Sequence, residues 1–107
     1  MAIWKPDSIS DEPEVILANW CVFEIDGKDR HFCGYNVILR EGRVSSRIEE
    51  FDQPNMAGRT RSGRIYKLQG AHGWDSNARY VWTRWCNING IDADSVRNVS
   101  EEIVNGR

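Results

Sequence analysis

The chain has 107 residues, of which 40% are apolar and 28% charged; this is the composition of one globular domain and argues against disorder. Its longest uninterrupted apolar runs, Val15–Ala18 and Trp20–Phe23, span four residues each, which excludes a transmembrane helix. The net charge of −2 counts against a dedicated DNA binder, which is usually basic.

The charge is uneven. Residues 1–29 hold two Lys and seven acids, whereas residues 30–67 hold eight bases and four acids. Eleven of the fourteen bases are arginine. A planar guanidinium fork suits carboxylate and phosphate, so this bias points to specific pairing rather than general solubility. Cys21, Cys33 and Cys86 are odd in number and widely spaced, a usage that suits a reducing cytoplasm better than a disulfide framework.

The opening stretch, residues 1–14, reads as a polar arm with Pro6, Pro13 and scattered acids; it lacks the character of a signal peptide. Trp4 is placed to pin it to the body. Pro13 suits a helix start, so Glu14–Ala18 is expected to form a turn or two of helix. Asn19–Ile25 alternates as a strand. Asp26-Gly27 is a hairpin signal, and Arg30–Leu39 is the returning strand, with Gly34 marking a bulge or a close approach. Arg40-Glu41-Gly42 turns the chain again.

Arg43–Phe51 follows as a strand with Val44, Ser46 and Ile48 on one face and Arg43, Ser45, Arg47 and Glu49 on the other. Asp52–Asn55 supplies turn residues, including Pro54. Arg59–Arg61 and Arg64–Leu68 are two short strands joined at Ser62-Gly63. The five strands form a meander over residues 19–69. After Gly70 the period changes to helical: Ala78, Val81, Trp82, Trp85 and Ile88 mark the apolar stripe of a helix over 75–89, capped by Asp75 or Ser76 and stopped by Asn89-Gly90. Residues 92–105 read either as a second helix carrying Val96, Val99 and Ile103 or as an irregular tail. The fold class is therefore α+β: a curved or partly closed antiparallel meander packed by one Trp-rich helix.

The sequence has no Walker loop, GxGxxG, HExxH, GxSxG or CxxC, and hence none of the geometries those motifs supply for phosphate binding or catalysis. No cofactor is implied. A metal site would need His31, His72 and the cysteines to converge; free cysteines more often behave as small buried hydrophobes, so no metal is expected. Two surfaces stand out. Arg43, Arg47, Arg59 and Arg61 line one side of the sheet if the register allows, with Arg64 at its edge and Tyr66 available for stacking; a one-residue slip would separate them. His72-Gly73-Trp74-Asp75, a loop before a helix N-terminus, is suited to an anion or to a turn whose Trp74 covers the core edge.

These features favour a small non-catalytic binding protein that occupies a protein partner, as inhibitors, immunity proteins and anti-defence proteins of phages or mobile elements do. Surplus Trp and Arg, the commonest hot-spot residues, fit that reading. The alternative is nucleic-acid or phosphate binding through the Arg face. A third reading is a small enzyme using His72 with Asp75 or Cys86.

Overall fold

The computed structural model describes residues 12–105. The fold is α+β, with a mostly antiparallel sheet that closes into a barrel. Its strands are β1 (Glu14–Ile25), β2 (Asp29–Asn36), β3 (Glu41–Asp52), β4 (Ala57–Thr60) and β5 (Ile65–Gln69), followed by helix α1 (Ser76–Asn89). A short 3-10 turn (Ala93–Ser95), strand β6 (Val96–Asn98) and helix α2 (Ser100–Val104) complete the described chain. Most of the expected polar arm, Trp4 included, lies outside the described residues.

Successive strands pair antiparallel from β1 through β5. The barrel closes through a parallel pairing of β5 with the first half of β1, Glu14 against Ile65 through Ala18 against Gln69. This corrects the helical turns expected at Glu14–Ala18. Val15 and Leu17 are buried while Glu14, Ile16 and Ala18 are not, a period of two that only a strand provides. Pro13 opens the pairing instead of a helix, its carbonyl accepting from the Ile65 N–H at 2.9 Å. Strand β2 stops at Asn36, three residues before the expected end, because the Asn36 side-chain oxygen accepts from the N–H groups of Ile38 and Leu39 and turns the chain.

Three register shifts set which residues face inward. They fall between Ala18 and Cys21, between the paired segments at His31/Cys33, and between Ile48 and Glu50. Each inserts an extra residue and reverses the alternation beyond it. In β1 the shift sits at Asn19, whose φ is 46°. It lets Val15 and Leu17 before it, and Trp20 and Val22 after it, all join one interior with Phe32, Tyr66 and Leu68.

The outer side of β1 and β2 carries Cys21, Phe23, Ile25 and Cys33, which pack under Ala78 and Trp82 of α1. The central strand is thus buried on both faces, which is why Trp20–Phe23 reads as a continuous apolar run. Helix α1 begins where the Asp75 carboxylate accepts from the Ala78 N–H at 2.9 Å and ends at Gly90 with φ 66°. Its first turn lies directly on β3: a Cβ at Gly42 would sit 2.4 Å from the Asn77 carbonyl oxygen. Trp82 is core, but Trp85 is half-buried and Ile88 is exposed, so the buried stripe is narrower than expected.

The tail combines elements that the sequence left as alternatives. Strand β6 pairs antiparallel with Phe23–Ile25, and α2 seats Val99 and Ile103 in the barrel interior. Ser100 fastens it there, its hydroxyl accepting from the Val22 N–H at 2.9 Å and donating to Asn98 Oδ1. Among the described residues no helix is long and apolar enough to cross a membrane.

Candidate functional site

The expected face of four arginines does not form, because the register shift in β3 turns Arg43 inward and leaves Arg47, Arg59 and Arg61 outside. Arg43 lies before the irregularity in β3 and Ser45 at it, and both are buried. Arg47 lies beyond it and is exposed. Arg59 and Arg61 flank Thr60, which is wholly buried, so they project outward. Outside, Arg59 is held by Glu49 at 2.9 Å and Glu50 at 3.3 Å, and Arg47 lies 3.5 Å from Glu49. These exposed pairs each contribute little, and they engage the guanidinium groups of Arg47 and Arg59.

Inside, Arg43, Arg64 and Tyr66 come together. Arg43 is 5% exposed. Its Nη2 donates to Glu12 Oε1 at 2.9 Å, and the other Glu12 oxygen accepts from the Asn36 side-chain amide at 3.1 Å. Arg64, also buried, donates from Nε to the Glu12 backbone carbonyl at 2.7 Å. The Arg43 guanidinium carbon stands 6.0 Å from the Tyr66 ring centroid. Burial works against the Arg43 charge, but Tyr66 and Glu12 outweigh it and the pKa is raised above the ordinary arginine value. Arg43 is therefore a cation at every ordinary pH.

This cluster borders a cleft of about 240 Å³ between β3, the β4–β5 turn and α1. Arg43, Arg64, Ser45 and Ser62 supply its polar lining; Tyr66, Val81 and Trp85 supply apolar walls. The Ser45 hydroxyl is already used, accepting from the Phe32 N–H and donating to the Ser46 carbonyl. Arg43 Nη1 is different. It lies 4.0 Å from Glu41 Oε2, and it is a buried donor without a hydrogen-bond partner among the described residues. Buried polar atoms left so are rare, and each calls for a physical reason.

The second expected surface stays separate. His72 is exposed and meets the edge of Trp20, with ring centroids 5.7 Å apart. The loop is anchored by the Gly73 N–H donating to the Trp20 carbonyl. Trp74 is 64% exposed and covers no core edge. The helix N-terminus beside it is filled by its own Asp75 carboxylate, which removes the vacancy an anion would use.

His31 and Cys33 do not form a metal pair. His31 Nδ1 lies 2.9 Å from the Ser45 carbonyl oxygen, which only accepts, so this nitrogen carries the proton. Burial holds the His31 pKa below the usual imidazole value. Cys33 donates to the Ala78 carbonyl, and its neighbour Cys21, together with burial, pushes its thiol up. Among the described residues no three His, Cys, Asp or Glu side chains converge as a metal site.

Glu12, Asn36, Ser45, Ser62 and Trp85 belong to the cleft or its support, and sequence reasoning did not single them out. Glu12 sits in an acidic, aperiodic stretch that looks solvated, and nothing local marks its carboxylate as the one that turns inward. No protein-family model, curated protein or solved structure matches this chain, so its function is read from its own geometry.

Proposed function

We propose that this is a small non-catalytic binding protein that acts by occupying a protein partner, in the manner of an inhibitor, an immunity protein or an anti-defence protein of a phage or mobile element. The supporting observation is a set of large apolar side chains left in solvent on two neighbouring elements, the β2–β3 turn and the start of α1. Ile38 (68% exposed) and Leu39 occupy the β2–β3 turn, and Trp74 and Tyr80 (58% exposed) bracket the first turn of α1. The contact of Gly42 with Asn77 and Ala78 brings that helix turn to the base of the β2–β3 hairpin. Scattered apolar residues on a surface are ordinary; two aromatics and two aliphatics on neighbouring elements resemble the centre of an interface. The three free cysteines suit action in the cytoplasm.

The test is capture from a lysate of the cells that encode the protein, with nuclease treatment. The wild-type chain is expected to retain a protein that an Ile38→Asp/Trp74→Ala variant of native fold loses. Recovery of nucleic acid alone, or retention of the same protein by the variant, would overturn the reading. Nucleic-acid binding by Arg47, Arg59 and Arg61 is the outcome that the first of these results would favour.

A further inference from the structure

We propose that the Arg43 cleft is a binding site for a small organic carboxylate, a monoanion with an apolar body. This inference is independent of the protein-partner reading, because it concerns a different surface and needs no second macromolecule.

Three observations support it. The first is the donor. Arg43 borders the cleft and is more than nine-tenths buried, and its Nη1 is a buried donor with no hydrogen-bond partner among the described residues. A guanidinium already fixed through Nη2 by Glu12 is preorganised, so a ligand oxygen meeting Nη1 requires little ordering of the protein.

The second is the lining. Tyr66, Val81 and Trp85 offer apolar surface in the same cleft, and the Ser62 hydroxyl, which accepts from the Arg64 N–H and meets Thr60 Oγ1, stands at its exposed turn. A few polar groups set among apolar walls is the usual make-up of a small-molecule site.

The third is size and charge. At about 240 Å³ the cleft is smaller than the roughly 300–1,000 Å³ of sites for drug-sized ligands, so it suits a fragment. Glu12 lies 2.9 Å and Glu41 4.0 Å from the same guanidinium. Their carboxylates offset the charges of Arg43 and Arg64, so a dianion gains no electrostatic advantage over a monoanion, while the apolar walls favour a carboxylate with an apolar body over inorganic phosphate.

The experiment is a titration of the ¹⁵N-labelled full chain with phenylacetate, and separately with acetate and inorganic phosphate at constant ionic strength. The backbone amides of Arg43 and Ser62 and the Trp85 indole N–H report the site. Phenylacetate is expected to give saturable shifts centred on those groups, with a dissociation constant on the order of millimolar for so small a ligand. Acetate should bind more weakly because it lacks the apolar body, and phosphate should shift nothing locally.

Arg43→Gln should abolish the response. That change also leaves Glu12 without its partner, so a second variant is needed. Ser62→Glu, at an exposed turn position, places a fixed carboxylate at the cleft and should weaken phenylacetate by about tenfold or more while the remaining spectrum stays native. Absence of a saturable response to phenylacetate, an equal local response to phosphate, or undiminished binding by Ser62→Glu would each overturn the proposal.

Discussion

Truncating Trp82 to alanine tests how α1 is held. Trp82 is 5% exposed and stacks on Phe23 with ring centroids 4.4 Å apart, and on Trp85 at 5.3 Å. Removing a buried Trp costs about 3–5 kcal/mol in transfer and cavity energy. A typical domain has only about 5–15 kcal/mol in total, and at about 4–8 °C per kcal/mol the midpoint should fall by roughly 12 °C or more. The same substitution elsewhere on the helix calibrates the argument. Trp85 is half-buried, so Trp85→Ala should lose about half as much, and exposed Trp74→Ala should stay within about 0.5 kcal/mol. Urea unfolding followed by far-ultraviolet circular dichroism gives all three values. A Trp82→Ala protein within about 1 kcal/mol of wild type, or a larger loss at Trp85, would refute the packing of α1 on β1 and β2.

Other perturbations probe the remaining joints. Gly42→Ala places a methyl 2.4 Å from the Asn77 backbone oxygen; α1 must shift, and a loss of about 1–3 kcal/mol is expected by the same unfolding assay. Ser100→Ala strips the acceptor from the buried Val22 N–H and should cost about 1–3 kcal/mol, with faster amide exchange at Val22. Stability should fall on acidification in two stages. His31 has its folded pKa lowered by burial, so below the ordinary imidazole value of about 6.5 the unfolded chain takes up a proton that the native chain resists. Glu24 has its folded pKa lowered by Arg30 and then Arg97, so below 4.5 the unfolded chain again binds more protons and that ion-pair stabilisation is lost as pH falls through the folded value. His31→Gln should flatten the first stage in a pH series of urea midpoints and leave the second.

Much of the architecture was legible because local rules and the global fold agree. Asp26-Gly27 turns with positive φ at both residues, and α1 has the cap and stop that Asp75 and Gly90 announced. Disagreement arose where tertiary pairing overruled a local cue. Pro13 before an apolar run suggested a helix, but a parallel partner in β5, Tyr66–Gln69, was available to Val15–Ala18. A parallel pairing brings together segments some fifty residues apart, and no short-range signal encodes it. Strand β6 is similar: three residues have no readable period, and only the unpaired edge of Phe23–Ile25 makes them a strand.

The site was less legible, and the cause is parity. Arg43 and Arg47 are four apart and share a face in any regular strand. One extra residue in β3 between them sends Arg43 inward to Glu12 and leaves Arg47 in solvent beside Glu49. The sequence offers no glycine or proline at that point of β3 to mark the irregularity; Ser45 and Ser46 both tolerate it. What the shift achieves is visible only in three dimensions. It lets one short strand contribute a buried cation to the barrel and an exposed cation to its outer surface. A charge placed inside needs a countercharge, and the chain supplies it from Glu12, just ahead of β1. Because burying an ion pair is at best weakly stabilising relative to apolar packing, the persistence of a buried guanidinium with one arm unbonded beside a cleft is better accounted for by recognition than by stability. An Arg43→Met/Glu12→Gln protein, which keeps an amide oxygen for the buried Asn36 side chain, distinguishes the two: stability within about 1 kcal/mol of wild type, with loss of the phenylacetate response, is the expected result, whereas a loss of several kcal/mol would assign the pair to the fold.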